Sequence, residues 1–82
     1  MEIKFKIGQR IRFLRERASM SQKDLAYTAD LDRSYIASVE SGCRNISIVN
    51  IERIANALNV SLKDFFAATE FDFPDQNSKQ NP

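Results

Sequence analysis

The sequence predicts an all-α protein, a compact five-helix bundle formed by one domain. Apolar residues recur at helical spacing along much of residues 3–66, and small polar residues suited to capping helices separate these stretches. No run alternates between apolar and polar residues over a useful length, so we expect no strands. The chain has 82 residues, which is the size of a single domain.

The first predicted helix runs from about Ile3 to Arg17. Its apolar residues recur at intervals that place them on one side of a helix. These residues are Ile7, Ile11, Leu14 and Ala18. Gly8 lies beside them, although glycine costs about 1 kcal/mol relative to alanine inside a helix. We therefore expect another element to pack closely against the first helix at Gly8.

Capping residues mark the next two helices. Ser21 is suited to cap the second helix, and Asp24 approximates the partner residue of a capping box. Asp32 is placed to cap the third helix, and Gly42 is placed to follow its end in a left-handed conformation. The inward-facing residues of these two helices are predicted to be Leu25, Ala26, Ala29, Ile36 and Val39.

Two further helices complete the predicted domain. Ser47 or Asn50 begins the fourth helix, and Ser61 caps the fifth. Their apolar residues are Ile51, Ile54, Ala55, Leu58, Leu62, Phe65 and Phe66. Residues 1–68 are therefore predicted to form the ordered domain. Residues 69–82 contain a helix-breaking proline and become strongly polar, so we expect a mobile C-terminal tail.

Positive charge is concentrated in the first helix. The chain has a net charge of only +1, but residues 1–17 carry six Lys or Arg and two acidic residues, which is +4 locally. Residues 69–82 carry one lysine and three acidic residues, which is −2 locally. A basic first helix is compatible with a nucleic-acid partner, but it equally fits a solvated helix surface.

The composition argues against several classes of protein. The chain has no histidine, glycine-rich phosphate loop, metal-binding cluster or activated nucleophile, so we expect no enzyme, cofactor or small-molecule ligand. Its single cysteine, Cys43, cannot form an intramolecular disulfide and is expected to be a bystander thiol. No apolar run approaches the ~20 residues that span a bilayer, and the N-terminus lacks a secretory apolar block. We expect a cytoplasmic protein without membrane contact.

The second and third predicted helices have the features of a helix-turn-helix. Ala26 is small enough for the third helix to cross the second. Asp30 lies in the turn, where a left-handed residue is required, and aspartate adopts that conformation more readily than most residues. Arg33 lies at the amino end of the third helix, whose short polar and cationic side chains fit the major groove of DNA. Arg12 is expected to pair with Glu40 and so hold the third helix against the first.

One combination of residues extends through most of the chain. It consists of Ile7-Gly8, Ile11-Arg12, Leu14-Arg15, Ser21-Gln22, Leu25-Ala26, Tyr35-Ile36, Val39-Glu40, Gly42, Ile54-Ala55, Ala57-Leu58 and Val60. With this combination, the segment from Ile7 to Phe66 resembles the lambda-repressor-like, Cro/repressor-type (XRE) helix-turn-helix regulators. The sequence departs from that family at Asp30 and at Ser19, where glycine is common, and Ser19 suggests a different loop.

Within the family, two stretches look most like the controller proteins of restriction–modification systems. These stretches are residues 32–36 and residues 44–47. Controller proteins are small dimeric regulators that time expression of the endonuclease relative to the methyltransferase. The resemblance therefore implies a dimeric DNA-binding regulator.

The resemblance also implies which residues touch DNA. Base edges would be contacted by Arg33, Ser34 and Ser38, and phosphates by Ser21, Gln22, Tyr35, Arg44 and Asn45. An arginine can bond guanine O6 and N7 together, so Arg33 is expected to carry most of the base readout. Several alternatives stay open at this point. Ser34 and Ser38 could be inert exposed serines, and Gln22 could be a simple exposed residue at a helix start. Arg33 could instead form a surface ion pair with Asp30 or Asp32, and Tyr35 could be a half-buried packing residue.

A single recognition helix reads too few base pairs for specific affinity. We therefore expect a two-fold homodimer on a palindromic operator, with half-sites ~34 Å apart. The second half of the chain has more apolar side chains than a core of this size can bury. The predicted interface is Ile46, Ile48, Val49, Leu62, Phe65 and Phe66, with Val60, Phe71 and Phe73 as further members of the apolar surplus. Phe71 and Phe73 alternatively fold back on their own subunit.

These features together predict a sequence-specific, double-stranded DNA-binding transcriptional regulator. A controller protein of a restriction–modification system is the preferred interpretation, with RNA polymerase as a possible additional partner. Alternatives are a generic or phage-type repressor of the same family and an antitoxin-like protein-interaction module. The steep salt dependence of DNA binding separates a DNA reader from a pure protein-interaction module.

Overall fold

The computed structural model describes residues 2–72, which form five α-helices and a short 3₁₀ helix. The elements are α1 (Ile3–Arg17), α2 (Gln22–Ala29), α3 (Arg33–Glu40), α4 (Ile48–Ala57), α5 (Leu62–Phe65) and the 3₁₀ helix Thr69–Phe71. Residues 2–72 contain no strand, which confirms the predicted all-α fold. None of their helices is both long and apolar enough to cross a membrane.

The core lies between helices that pack in a connected series. α1 packs on α3, α2 packs on both α3 and α4, and α5 packs on α4. The buried apolar residues are Ile7, Ile11, Leu14, Leu25, Ala26, Ala29, Ile36, Val39, Ile51, Ile54, Ala55, Leu58 and Phe65. This set includes every inward-facing residue predicted for α2 and α3. Ala18, which was expected to extend the apolar side of α1, is exposed because α1 ends one residue earlier.

Four helices are each followed by a residue in the left-handed conformation. These residues are Ser19, Asp30, Gly42 and Asn59, with φ of 59°, 59°, 79° and 59°. After each one, the next backbone N–H donates to a carbonyl near the helix end; Met20 N–H, for example, donates to Arg15 O at 3.0 Å. This Schellman closure satisfies carbonyls that have no partner within the helix. Asp30 thus has the predicted conformation, and the expectation that Ser19 changes the loop type was wrong.

Serine side chains cap three of the helices. Ser21 Oγ accepts the Asp24 N–H at 2.9 Å and Asp24 Oδ2 accepts the Ser21 N–H at 3.0 Å, so the predicted capping box forms. The hydrogen bond from the Ser21 backbone holds the pKa of the Asp24 carboxyl below its ordinary value. Ser47 and Ser61 cap α4 and α5, so the earlier of the two predicted starts of α4 is correct. Asp32 precedes α3 as expected, but its side chain makes no capping hydrogen bond.

Gly8 lies at the closest approach between α1 and α3. A Cβ atom at this position would lie 2.4 Å from Val39 O and 2.6 Å from Glu40 O, which is closer than van der Waals contact permits. The glycine therefore lets the backbone at the end of α3 lie directly against α1. This confirms the close packing expected at Gly8.

A buried ion pair joins α1 to the end of α3, but the arginine is not the predicted one. Arg15 Nε donates to Glu40 Oε2 at 2.7 Å, and Arg15 Nη2 donates to Glu40 Oε1 at 3.0 Å. Arg12 was expected to make this contact, and that prediction was wrong. Arg12 lies on the exposed side of α1, where it pairs with Glu16 at 3.2 Å.

The C-terminal part of the domain is attached to α1 by another arginine. Arg10 Nε donates to Phe65 O at 2.7 Å, and Arg10 Nη2 donates to Asp64 O at 2.8 Å.

Phe65 is fully buried in its own subunit, so its predicted place in the dimer interface was wrong. Phe71 is half-buried and packs in the same chain, with its ring centroid 5.2 Å from that of Phe66. Met1 and residues 73–82, which include Phe73 and most of the predicted tail, lie outside the described residues.

Candidate nucleic-acid interface

The amino end of α3 projects an arginine into solvent. Arg33 is the first residue of α3, and its side chain is exposed. Among residues 2–72, no hydrogen bond or salt bridge involves the Arg33 side chain. The alternative in which Arg33 pairs with Asp30 or Asp32 is therefore not observed. The guanidinium is available to bind an external acceptor.

Serine residues continue the exposed side of α3. Ser34 is exposed, and Ser38 one turn later is half-buried. The Ser38 hydroxyl donates to Ser34 O at 3.0 Å and also lies 3.1 Å from Tyr35 O. Since its proton is engaged by the helix, Ser38 can offer only acceptor lone pairs to a partner. Ser34 keeps both donor and acceptor capacity.

The start of α2 is tied to the end of α3 by the same carboxylate that binds Arg15. Gln22 Nε2 donates to Glu40 Oε1 at 3.1 Å, and Arg15 Nη1 donates to Met20 O at 2.8 Å. The hydrogen bond to Glu40 raises the pKa of Arg15, so the guanidinium keeps its positive charge. This network holds the amino end of α2 and the carboxyl end of α3 in one fixed arrangement.

The network also changes how Gln22 can meet an anion. Its side-chain amide donates one proton to Glu40, which leaves the second amide proton for another acceptor. The Ser21 hydroxyl oxygen accepts from the Asp24 N–H, so the hydroxyl proton is also left to donate. The backbone N–H groups of the first residues of a helix have no partner within the helix and favour an anion. The amino end of α2 therefore offers both side-chain and backbone donors that are suited to an anion.

Tyr35 is held from two sides on the other edge of α3. Asn50 Nδ2 donates to the Tyr35 hydroxyl oxygen at 3.0 Å. The Arg44 guanidinium lies over the Tyr35 ring, 4.9 Å from its centroid. Tyr35 is half-buried and packs against the core, as in one of the two alternatives considered for it. Contact of its hydroxyl with phosphate stays a prediction.

The structure brings the predicted site residues together only in part. Ser21 and Gln22 begin α2, Arg33 to Ser38 belong to α3, and Arg44 and Asn45 lie in the exposed loop after α3. Sequence reasoning missed two residues that shape this site, Arg15 and Asn50. The buried side of α1 could have indicated Arg15, because it follows Leu14 directly, whereas nothing in the local sequence marks Asn50 as a partner of Tyr35.

Large apolar side chains remain exposed at α4 and α5. Ile48 is 82% exposed and Val49 is 59% exposed, although both lie in the first turn of α4. Leu62 and Phe66 are also exposed, while Ile46 is half-buried. We call these five residues the apolar surface. Large apolar side chains that remain exposed together are typical of a contact with another protein chain.

Residues 2–72 contain one free thiol and no cluster of metal ligands. Within this range no group of His, Cys, Asp and Glu is suited to hold a metal ion. Cys43 is a free, exposed thiol beside Arg44. No buried polar side-chain atom of these residues lacks a hydrogen-bond partner.

Comparisons with known proteins agree with this architecture. The model of a helix-turn-helix domain family matches residues 8–70. The control protein C.MunI of a Mycoplasma species is 40% identical over 70 residues, which cover 84% of this chain and 95% of the relative.

Two solved structures extend the comparison to three dimensions. The restriction–modification controller protein C.AhdI of Aeromonas hydrophila is 46% identical and has a TM-score of 0.74, covering 77% of this chain and 91% of its own. The tetramer of the controller protein C.Esp1396I bound to its natural operator is 38% identical and has a TM-score of 0.77, covering 80% of this chain and 87% of its own. The chain is a helix-turn-helix protein and belongs to the family of restriction–modification controller proteins.

Proposed function

We propose that this protein is a transcriptional regulator that binds a palindromic operator in double-stranded DNA and controls a restriction–modification system. The observation that carries the proposal is the exposed guanidinium of Arg33 at the amino end of α3, which has no hydrogen-bond or salt-bridge partner among residues 2–72. The carboxyl end of the same helix is fixed to α1 and α2 through Glu40. A helix that is anchored at its carboxyl end and exposes an arginine at its amino end is suited to enter a major groove.

Base recognition is assigned to three residues of α3. Arg33 can donate two hydrogen bonds to guanine O6 and N7, and one such pair contributes about 1–3 kcal/mol of discrimination. Ser34 and Ser38 contribute weaker contacts, since a single hydroxyl distinguishes bases poorly. Because the Ser38 proton is bound within α3, Ser38 is assigned an acceptor role only.

Phosphate contacts are assigned to both sides of α3. On one side are Ser21 and Gln22, through their remaining side-chain protons and the backbone N–H groups at the start of α2. On the other side are the Tyr35 hydroxyl, Arg44 and Asn45. Contacts of this kind fix the position of a protein on DNA, and charged ones make affinity depend on salt.

We assign the interface of a homodimer to the apolar surface. In such a dimer two α3 helices read two half-sites. In operators read by helix-turn-helix proteins, the palindrome of the DNA matches the two-fold symmetry of the dimer. The comparison structure of C.Esp1396I is a tetramer on its operator, which is compatible with two dimers on one DNA. A regulator of this kind acts in the cytoplasm without catalysis, and RNA polymerase is an additional partner that we propose.

Selection of bound duplexes from a random pool tests the proposed function. We expect the purified protein to enrich a palindrome whose half-site centres lie about 10 base pairs apart. Its affinity for the enriched duplex should fall steeply between low and physiological salt, because several phosphate contacts release counterions. A protein-interaction module would enrich no sequence and would show no such salt dependence.

A further inference from the structure

A polar link between α3 and α4 has no role in the contacts assigned so far. Asn50 lies in the first turns of α4, where its backbone N–H donates to Ser47 Oγ at 3.1 Å. Its side-chain amide donates to the Tyr35 hydroxyl oxygen at 3.0 Å. Tyr35 and Asn50 are both half-buried. Because Asn50 is placed by the capped start of a helix, it is a fixed donor beside the tyrosine.

The direction of this hydrogen bond determines what the tyrosine can do next. A phenolic hydroxyl has one proton to donate and lone pairs that accept. The Asn50 amide occupies a lone pair, so the hydroxyl proton remains free to point away from α4. A phosphate oxygen is an acceptor, and a hydroxyl that already accepts a hydrogen bond is polarised to donate one.

Arg44 restrains the same side chain from above. Its guanidinium carbon lies 4.9 Å from the Tyr35 ring centroid, and the Arg44 side chain is exposed. The ring is therefore held by α3, by the loop after α3 and by α4. A cation over the Tyr35 ring also favours the arrival of an anion near this side chain.

We propose that Asn50 is a positioning residue that orients the Tyr35 hydroxyl to donate to a DNA phosphate. The inference rests on the proposed function, and Asn50 itself needs no contact with DNA. Ile48 and Val49 of the apolar surface lie next to Asn50 at the start of α4, which Ser47 caps. The helix start assigned to the dimer contact thus also sets a contact with the operator backbone.

Asn50→Asp tests the proposal because it keeps the side-chain size and removes the donor. An ionised carboxylate only accepts, so the Tyr35 proton would turn toward it and leave the phosphate. Asn56→Asp is the matched control, since Asn56 is exposed on the same helix and the added charge is the same. We expect Asn50→Asp to weaken binding to the selected duplex about tenfold beyond Asn56→Asp, as for one hydrogen bond to a charged group.

A double-mutant cycle with Tyr35→Phe separates positioning from general disruption. In the Tyr35→Phe background no hydroxyl remains to orient, so Asn50→Asp should weaken binding no more than Asn56→Asp does. Fluorescence anisotropy measures each affinity, and thermal unfolding of each variant establishes that it is folded at the temperature used. If Asn50→Asp does not fold, Asn50→Ala and Asn56→Ala replace the two aspartate variants in the same cycle.

The outcomes distinguish this proposal from the proposed function. Equal losses for Asn50→Asp and Asn56→Asp in the wild-type background would overturn the positioning role. An undiminished extra loss in the Tyr35→Phe background would also overturn it. A wild-type protein that enriches no duplex would instead overturn the proposed function.

Discussion

Arg15 of α1 and Glu40 of α3 form a two-point ion pair inside the domain. Their side chains are only 11% and 4% exposed, whereas those of the surface pair Arg12 and Glu16 are 60% and 57% exposed. Glu40 also accepts from Gln22, so three helices meet at one carboxylate. The orientation of α3 toward a partner therefore depends on a residue of α1 that lies far from Arg33 in sequence.

Removal of Arg15 should destabilise the domain strongly. Arg15→Ala leaves the Glu40 carboxylate buried without its partner, and we expect a loss of about 3 kcal/mol in the free energy of unfolding. Arg12→Ala breaks an exposed pair instead and should cost about 0.5 kcal/mol or less. Urea unfolding of both variants checks the difference. Similar losses for the two variants would mean that the buried pair does not fix α3.

Addition of one methyl group at Gly8 should also destabilise the fold. Alanine is the better helix former by about 1 kcal/mol, but its Cβ would overlap Val39 O and Glu40 O. We expect the overlap to dominate and Gly8→Ala to cost about 2 kcal/mol net. The neighbouring exposed substitution Gln9→Ala should change the stability by about 0.5 kcal/mol at most. A Gly8→Ala protein as stable as Gln9→Ala would contradict the observed α1–α3 contact.

The left-handed serine after α1 offers a stabilising substitution. Ser19 has φ of 59°, which glycine adopts without the steric cost that a Cβ imposes. We expect Ser19→Gly to raise the free energy of unfolding by about 0.5 kcal/mol after the larger unfolded-state entropy of glycine is included. Ala18→Gly is the control, because Ala18 has φ of −84° and should lose stability. Thermal unfolding should therefore give the highest Tm for Ser19→Gly, an intermediate Tm for the wild type and the lowest Tm for Ala18→Gly.

A charge on the apolar surface should separate the subunits. Ile48 is 82% exposed within one subunit, so Ile48→Glu should leave the fold of that subunit intact while placing a carboxylate in the proposed interface. We expect a monomer by sedimentation velocity at concentrations where the wild type is a dimer. Tyr27→Glu, at an exposed aromatic residue of α2, should leave the dimer unchanged. If the Ile48→Glu protein dimerises as tightly as the wild type, the interface lies elsewhere.

Local sequence patterns were sufficient to predict most of the fold. The apolar spacing gave the bounds of α1, and the serine caps gave the starts of α2, α4 and α5. The Schellman closure at Ser19 was not anticipated, because serine has only a weak preference for positive φ. Hydrogen bonds to the Arg15 carbonyl and the packing of Met20 outweigh the steric cost of positive φ at serine.

Long-range partners were harder to predict than local structure. Arg12 and Arg15 are both arginines of α1, and only the rotation of α1 against α3 determines which of them reaches Glu40. Phe65 and Phe66 are likewise adjacent, yet one is fully buried and the other exposed. The link from Asn50 to Tyr35 depends on how the start of α4 is placed relative to α3. Such choices follow from tertiary packing, which a single sequence does not specify.

The central claim is that the amino end of α3 reads DNA bases through Arg33. Its most direct test is to select bound duplexes from a random pool with the wild type, Arg33→Ala and Arg44→Ala in parallel. We expect Arg33→Ala to lose the base preference at one position of each half-site, at a cost of about 1–3 kcal/mol. Arg44→Ala should keep every preference and bind all sequences more weakly, with a reduced salt dependence. An Arg33→Ala protein that selects the wild-type operator with unchanged preference at every position would contradict the claim.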